Sequence, residues 1–366
     1  MIDWENIRKL HLGSYQGTYL NSPANGIPSS NAEAYVIKET EKFRTAPGQY
    51  RTEFISATIP AIKEQVANLL NAKVDEIALV PNISIALNLF VKSLPSNIKV
   101  AFYRGDYPSL TKPFEVGNFD VKWLNFINHE VDLDDLEVFL KNEQPTVLGI
   151  SHVQWLTGYT ADLEAIGILC KQYNCLLMVD ATQSLGAISI DVQQEYIDIL
   201  GSSCYKWPLA GFGNGVFYIN KQVQDQYPPR SSGFNSHTWV DGEAVYYPSM
   251  KSYEPGHHDH VAFHRLSYAL GQIDELGIEN IAVRIRRLMN YTIQELKNIN
   301  VKIIGNFSMD HRAGIICIEN KKGLFEHLKS KDIEVSERSE FIRFGLHYYN
   351  NEADIDILVK ELDRFL

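Results

Sequence analysis

The group in this chain best suited to covalent chemistry is Lys206, set in Gly201-Ser202-Ser203-Cys204-Tyr205-Lys206-Trp207 and followed by Gly211, Gly213 and Gly215. A lysine amine captures a carbonyl as an imine, and hydroxyls and backbone N–H groups beside it can hold an anion. Asp180 stands 26 residues earlier, at the end of the apolar run Cys175-Leu176-Leu177-Met178-Val179. A carboxylate there faces the crevice in which open α/β sheets bind their ligands. Gln183 follows one helical turn later and is placed to donate a hydrogen bond into the same crevice. The plainer reading of this pair is a helix start, with Asp180 as N-cap and Gln183 as its reciprocal partner.

Such groups need a scaffold that brings distant segments to one edge. Between about residue 60 and residue 220, short apolar runs alternate with helical periodicities. Leu79-Val80, Lys99–Phe102, Val121–Leu124, Thr146–Ile150, Cys175–Val179 and Gly215–Ile219 have the texture of buried strands. Leu163, Ile166, Leu169, Cys170 and Tyr173 recur at helical spacing behind a Thr160/Asp162 cap, which predicts a strand-helix-strand crossover and parallel pairing. Beyond residue 262 longer helical patterns take over, Phe263–Leu276 and Ile278–Leu296. Strand candidates Val301–Ile304, Gly314–Ile318 and Phe341–Phe344 then alternate with helices Gly323–Lys329 and Asp354–Phe365. The expected fold class is therefore α/β. Residues 15–262 form a large domain with a mainly parallel sheet, and residues 1–14 with 263–366 form a smaller α+β domain. Gly233 to Gly256 lacks clear periodicity and reads as a long functional loop.

Bulk properties narrow the partners. The 366 residues are 45% hydrophobic and 22% charged, with a net charge of −11 that offers no basic face to nucleic acid. No apolar run reaches membrane-spanning length, and the start of the chain is polar and amphipathic. Cys170, Cys175, Cys204 and Cys317 form no CxxC pair, which fits a reduced compartment and a cytoplasmic location. The expected partner is a small molecule.

The joint pattern meets the needs of pyridoxal phosphate. That cofactor requires a lysine for its aldehyde, a carboxylate for its ring nitrogen, donors for its phosphate and a cation for the substrate carboxylate. The stretch from Ser151-His152-Val153-Gln154-Trp155-Leu156-Thr157-Gly158 through Gly215 resembles the class V aminotransferase family. These are fold-type I pyridoxal phosphate enzymes whose members include cysteine desulfurases, kynureninase and isopenicillin N epimerase-like proteins. The resemblance spans nearly the whole chain and implies the type I transferase fold, pyridoxal 5'-phosphate, an amino acid or keto acid as substrate and a homodimer with shared active sites. It also implies residue roles. Lys206 carries the aldehyde and Asp180 pairs with the ring nitrogen. Gln183 reaches the ring's phenolate oxygen. Ile83, Ser84, Ser203 and Tyr205 hold the phosphate at a helix start, Asn82-Ile83-Ser84-Ile85. Tyr107 stacks on the ring, and Trp155 stands beside it. His257, in Ser252-Tyr253-Glu254-Pro255-Gly256-His257-His258-Asp259-His260, crosses to the neighbouring subunit's phosphate. Asn25, in Tyr19–Gly26, lines the substrate site. Arg343, in Ile342-Arg343-Phe344-Gly345-Leu346-His347, binds the α-carboxylate, while Arg338 assists it or binds a side-chain carboxylate.

Departures from the family pattern matter as much. Many relatives carry His where Tyr107 stands, and desulfurases use that histidine as a proton shuttle. Tyr205 likewise replaces a frequent His, and Trp155 a small polar residue. Between Glu334 and Arg343 no cysteine occurs and little room remains for a nucleophile-bearing loop, so persulfide chemistry is disfavoured. The three histidines at 257, 258 and 260 lack a second ligand cluster, so no metal is expected. A nicotinamide dehydrogenase would need a glycine fingerprint after an early strand, and Val80-Pro81-Asn82-Ile83-Ser84 has none. The leading expectation is an aminotransferase. A lyase, an epimerase or a cofactor-binding protein without turnover are the alternatives.

Overall fold

The computed structural model describes residues 2–305 and 307–365. Its centre is a seven-stranded sheet in the order Ile77–Val80, Gly215–Ile219, Ile199–Ser203, Leu176–Asp180, Val147–Ser151, Lys99–Tyr103, Asp120–Leu124. From Ile199–Ser203 to Asp120–Leu124 all neighbours are parallel, and Gly215–Ile219 is antiparallel to both its neighbours. The chain leaves Lys99–Tyr103 and Val147–Ser151 toward opposite sides of the sheet. Their carboxyl ends form a topological switch point, where open α/β sheets place their ligands. These strands read as unbroken apolar runs because both sheet faces are covered, and every residue of Val147–Ser151 is buried.

One sheet strand, Ile199–Ser203, escapes the apolar pattern because Gly201, Ser202 and Ser203 occupy more than half of it. Two other expectations are corrected. Val301–Ile304 is not a strand; only Ile303 forms an isolated bridge, to Ile318. Gly233 to Gly256 is not structureless, since His237–Val240 and Glu243–Tyr246 pair as an antiparallel hairpin. The alternation there is masked by exposure on both faces, with Trp239, Val240 and Val245 all open to solvent.

Two apolar cores lie on the sheet's faces. One joins Leu148, Val179 and Leu200 to the helices Ile59–Leu70, Leu163–Gln172 and the start of His260–Leu276. The other joins Ala78, Phe102 and Met178 to the helices Ile83–Val91 and Pro108–Val116. A third core gathers the chain's beginning with its end. It packs Ile7 and Leu20 with the helices Ile278–Asn298 and Glu352–Phe365, around the sheet of Ile315–Glu319, Phe341–Gly345 and Ser336–Arg338. The helix His260–Leu276 serves two of these cores, giving Phe263, Leu266 and Leu270 to the first and Ile273 and Leu276 to the third.

The turn Gln154–Gly158 joins the large sheet's crevice to the small sheet. Gly158 has φ +77°, and a Cβ there would lie 2.5 Å from the Ile315 carbonyl oxygen. Neither the backbone angle nor the space accepts a side chain. Gly158→Val is therefore expected to lower unfolding free energy by about 2 kcal/mol or more, read from urea denaturation. An unchanged midpoint would show that this contact is slack.

Candidate active site

Each group at the crevice is placed by the end of a strand. Asp180 is the last residue of Leu176–Asp180 and is buried beside Ser151, its register partner at the end of Val147–Ser151. No helix follows Asp180, so the capping reading does not hold. Asp180 instead accepts a hydrogen bond from the Thr182 N–H at 2.9 Å. Gln183 is turned inward, its Nε2 donating to the Pro23 carbonyl (2.9 Å) and its Oε1 accepting from the Trp207 indole (2.7 Å).

Lys206 lies on the turn after Ile199–Ser203, and only 5% of its surface is exposed. The residues around it belong to different cores, Cys204 and Ala210 to one and Trp207 and Leu209 to another. The segment holding Gly26 passes so close that a Cβ on Gly26 would lie 2.0 Å from the Lys206 carbonyl oxygen, while the Gly26 N–H donates to the Tyr205 carbonyl at 2.9 Å. The amine looks onto the rings of Tyr107 (5.4 Å) and Tyr205 (5.5 Å). With Tyr107, Ser151, Val153, Trp155, Asp180, Thr182 and Gln183 it lines a narrow pocket.

Electrostatics in this pocket are governed by burial. Desolvation lowers the Lys206 pKa to about 8; Asp180 opposes the shift, and Arg343 and Arg338 add to it. Burial raises the Asp180 pKa against its Thr182 hydrogen bonds and the Lys206 charge. A cation lodged against that carboxylate would thus be stabilised. Arg343, 2% exposed, donates from Nη1 to the Trp155 carbonyl at 2.6 Å and stacks its guanidinium 5.8 Å from the Trp155 ring centre. Its Nε has no hydrogen-bond partner, and among the described residues it forms no ion pair. Burial, then Arg338, pull its pKa down to about 10. A buried guanidinium without an ion-pair partner has the donors to receive a carboxylate.

Two helices begin at the same edge. Asn82 caps Ile83–Val91 by accepting from the Ile85 N–H (3.0 Å), and the Ile83 N–H donates to the Ser203 hydroxyl (3.2 Å). Ser84 donates its hydroxyl to Ser109 (2.8 Å), in the first turn of Pro108–Val116. Hydroxyls and two positive helix ends thus converge, which suits a phosphate.

The pocket unites Tyr107, Trp155, Asp180, Gln183 and Lys206, with Tyr205 alongside and Ile83 joined to Ser203. Asn25 lies on the segment packed against Lys206, its carbonyl accepting from Tyr19 Oη. His257 is elsewhere. It is exposed and lines a separate apolar pocket with Phe43, Tyr50, Phe54, Ile59 and His260. Arg338 is half-buried, and among the described residues its side chain bonds only to the Glu337 carbonyl. Sequence reasoning overlooked Ser151, Thr182, Ser109 and Asp106. Asp106 is buried and accepts from the Ser151 N–H (2.8 Å), the Ser151 hydroxyl and the Tyr107 N–H (2.7 Å); burial raises its pKa to about 6. The signal was present, since Asp106 follows the apolar run Lys99–Phe102 much as Asp180 follows its own.

Residues 29–358 match the family model described as "Aminotransferase class-V". The chain is 25% identical over 310 residues to an uncharacterized aminotransferase, YcbU, of Bacillus subtilis (strain 168), covering 82% of each. It is 29% identical over 305 residues to a probable cysteine desulfurase of Pyrococcus abyssi (strain GE5 / Orsay), covering 78% of this chain and 72% of that protein. Among solved structures, the apo cysteine desulfurase from Thermococcus onnurineus NA1 superposes with a TM-score of 0.90 at 20% identity, over 100% of this chain and 98% of that one. The cystine C–S lyase C-DES superposes with a TM-score of 0.87 at 19% identity, over 96% and 98%. The match over most of its length places this chain in the class V aminotransferase family. It is accordingly a pyridoxal phosphate-dependent enzyme of fold type I.

The lowered Lys206 pKa has a direct consequence. The neutral amine, which attacks carbonyls, predominates above about pH 8 rather than above 10.5. The rate at which cofactor-free protein captures pyridoxal phosphate should therefore rise with pH through a midpoint near 8 and level off about one unit or more above it. Arg343→Met should shift that midpoint upward by removing a neighbouring cation, and Asp180→Asn downward by removing the compensating anion. A midpoint near the ordinary lysine value in the native chain would contradict the burial argument.

Proposed function

We propose that the protein is an aminotransferase acting on an amino acid, with Lys206 as the catalytic base and cofactor anchor. The observation that carries this is a lysine whose charge is suppressed by burial, with a buried arginine that has no ion-pair partner held against Trp155, a wall of the lysine's pocket. The residues fit the cofactor. Asp180 would face the ring nitrogen, Tyr107 would cover the ring, and Ile83, Ser84, Ser203 and Tyr205 would hold the phosphate. Gln183, whose amide oxygen is taken by Trp207, would offer only its remaining N–H. The bound cofactor supplies the electron sink for the bond broken at the substrate's α-carbon. Arg343 holds the α-carboxylate in a two-pronged grip, Trp155 fixes that guanidinium through its carbonyl, and Asn25 lines the entry. Lys206 Nζ, once free, takes the α-proton and returns it elsewhere, a role suited to an amine titrating near 8.

Transamination is favoured over persulfide chemistry by the chain itself. Ser336–Arg338 and Phe341–Gly345 are joined by Ser339 and Glu340 alone, with Ser339 at φ +51°, which leaves no loop to carry a nucleophile before Arg343. All four cysteines are free and buried, and burial pushes the thiols of Cys204 and Cys317 up to about 12.

We further infer a homodimer with shared sites and a cytoplasmic location. The first is supported by His257, exposed and outside the Lys206 pocket, where it could serve a second copy. The second is supported by the free thiols, and no helix among the described residues is long and apolar enough to cross a membrane.

Single-turnover reaction of the loaded protein with a panel of amino acids tests the reaction type. Transamination yields a keto acid without free ammonia, elimination releases ammonia, and epimerisation exchanges the α-hydrogen without either product. Ammonia release as the main outcome would replace the aminotransferase reading by the lyase one. Lys206→Ala should abolish turnover. Asp180→Asn should keep cofactor yet lose most activity, roughly a hundredfold or more. Co-expressed Lys206→Ala and His257→Ala chains should recover activity in mixed dimers; a fully active monomer would exclude shared sites.

A further inference from the structure

Two arginines occupy one face of the small sheet. In the antiparallel pairing, Ser336 stands opposite Arg343 and Arg338 opposite Phe341. Opposed residues share a face, so Arg338 and Arg343 are diagonal neighbours on it, roughly 7–8 Å apart along the backbone. Of the nearby acids, Glu319 shares this face from the far strand, opposite Phe341, but forms no ion pair with either arginine among the described residues, and the others bond elsewhere. Glu337 lies on the alternate face and accepts from Asn320 (2.7 Å), and Glu334 accepts from Tyr15 (2.6 Å). Arg338 donates to the Glu337 carbonyl (3.0 Å), and among the described residues neither arginine has an ion-pair partner.

Both charges are felt at Lys206, where burial is the largest influence and the two guanidinium groups follow Asp180. Three cations therefore lie near enough to influence one another in a chain whose net charge is −11. Like charges placed side by side destabilise a sheet. One buried arginine suffices for one α-carboxylate. A second, unpaired and set nearer solvent on the same face, is explained by a second anion on the ligand.

We propose that Arg338 is a specificity-determining residue that binds a side-chain carboxylate, so that the substrate is a dicarboxylic amino acid and its product the corresponding keto diacid. This rests on the reading of Arg343 as the α-carboxylate receptor. The arrangement is graded. Arg343, buried against Trp155, takes the carboxylate common to all amino acids, and Arg338, half-buried and diagonal to it on the same sheet face, reads the side chain.

The test separates binding from turnover. Calorimetric dissociation constants of the holoenzyme are measured for two inert dicarboxylates, succinate and glutarate, and for the monocarboxylate butyrate. In the native chain a dicarboxylate should bind more tightly than butyrate by roughly tenfold or more, the scale of one charge-assisted pair. In Arg338→Gln that ratio should fall toward one, and Arg338→Lys should retain part of it. In parallel, catalytic efficiency is compared for glutamate against glutamine and for aspartate against asparagine. Preference for the acids that collapses in Arg338→Gln supports the assignment. Equal binding of mono- and dicarboxylates, a preference for the amides, an undiminished ratio in Arg338→Gln, or turnover of O-phosphoserine alone would each overturn it. Since succinate and glutarate need no chemistry, failure of the aminotransferase reading would leave the binding comparison intact, and the two failures are distinguishable.

Discussion

The structure depends on taking one amine out of water without neutralising the pocket around it. Lys206 sits where the chain passes between cores, with Cys204 packed into one and Trp207 into another, so its backbone cannot shift without disturbing both. Trp207 is fully buried, bonds to Gln183 and stacks on His347, whose Nε2 pairs in turn with the Trp207 carbonyl at 2.9 Å. These contacts fix the lysine's origin, and the rings of Tyr107 and Tyr205 restrict where its amine can go. Burial then does the chemistry's first task by bringing the amine's pKa down to about 8, close enough to neutral pH for the uncharged form to be reached readily.

A second constraint follows from the first. The switch point of the sheet brings the ends of three parallel strands together, and two of the segments there deliver carboxylates, Asp106 and Asp180. Each raises the cost of ionising the other, yet their partners differ. Asp106 is saturated by Ser151 and Tyr107 and so works as a strut, tying the segment that carries Tyr107 to the strand beside Asp180. Asp180 has one backbone partner, at Thr182, and looks into the pocket. A buried acid with spare acceptor capacity is the one able to stabilise a positive charge on a ligand, which is why the two acids have different roles despite similar positions.

Much of this was readable from residue types. The parallel strands announced themselves because both faces are covered, and Asp180 and Lys206 stood out because charged groups rarely end apolar runs. What stayed hidden has physical reasons. The Ile199–Ser203 strand is half glycine and serine because Gly201 must admit the Ile83 side chain, to which a Cβ would come within 2.7 Å. The His237–Tyr246 hairpin exposes both faces, so no period of two marks its buried side. The Asp180–Gln183 pair looked like a cap because capping boxes are recognised by spacing alone, whereas Gln183 was drawn away by Trp207, a partner 24 residues on. Hydrogen bonds between distant segments, such as those holding Asp106, leave no local periodicity to read.

Family membership fixes the scaffold and cofactor chemistry, but the reaction is decided by what the scaffold lacks or adds around the pocket. A two-residue turn before Arg343 cannot be extended into a reactive loop without rebuilding the Arg338–Phe341 pair. That same tight turn is what sets Arg338 on the face of Arg343, because a longer connection would free the strand's register. The absence of a mobile nucleophile and the presence of a second fixed cation are thus one structural fact. On the reading proposed above, the short connection leaves no room for a group that attacks the substrate and fixes one that would hold it, with bond-breaking left to the buried amine.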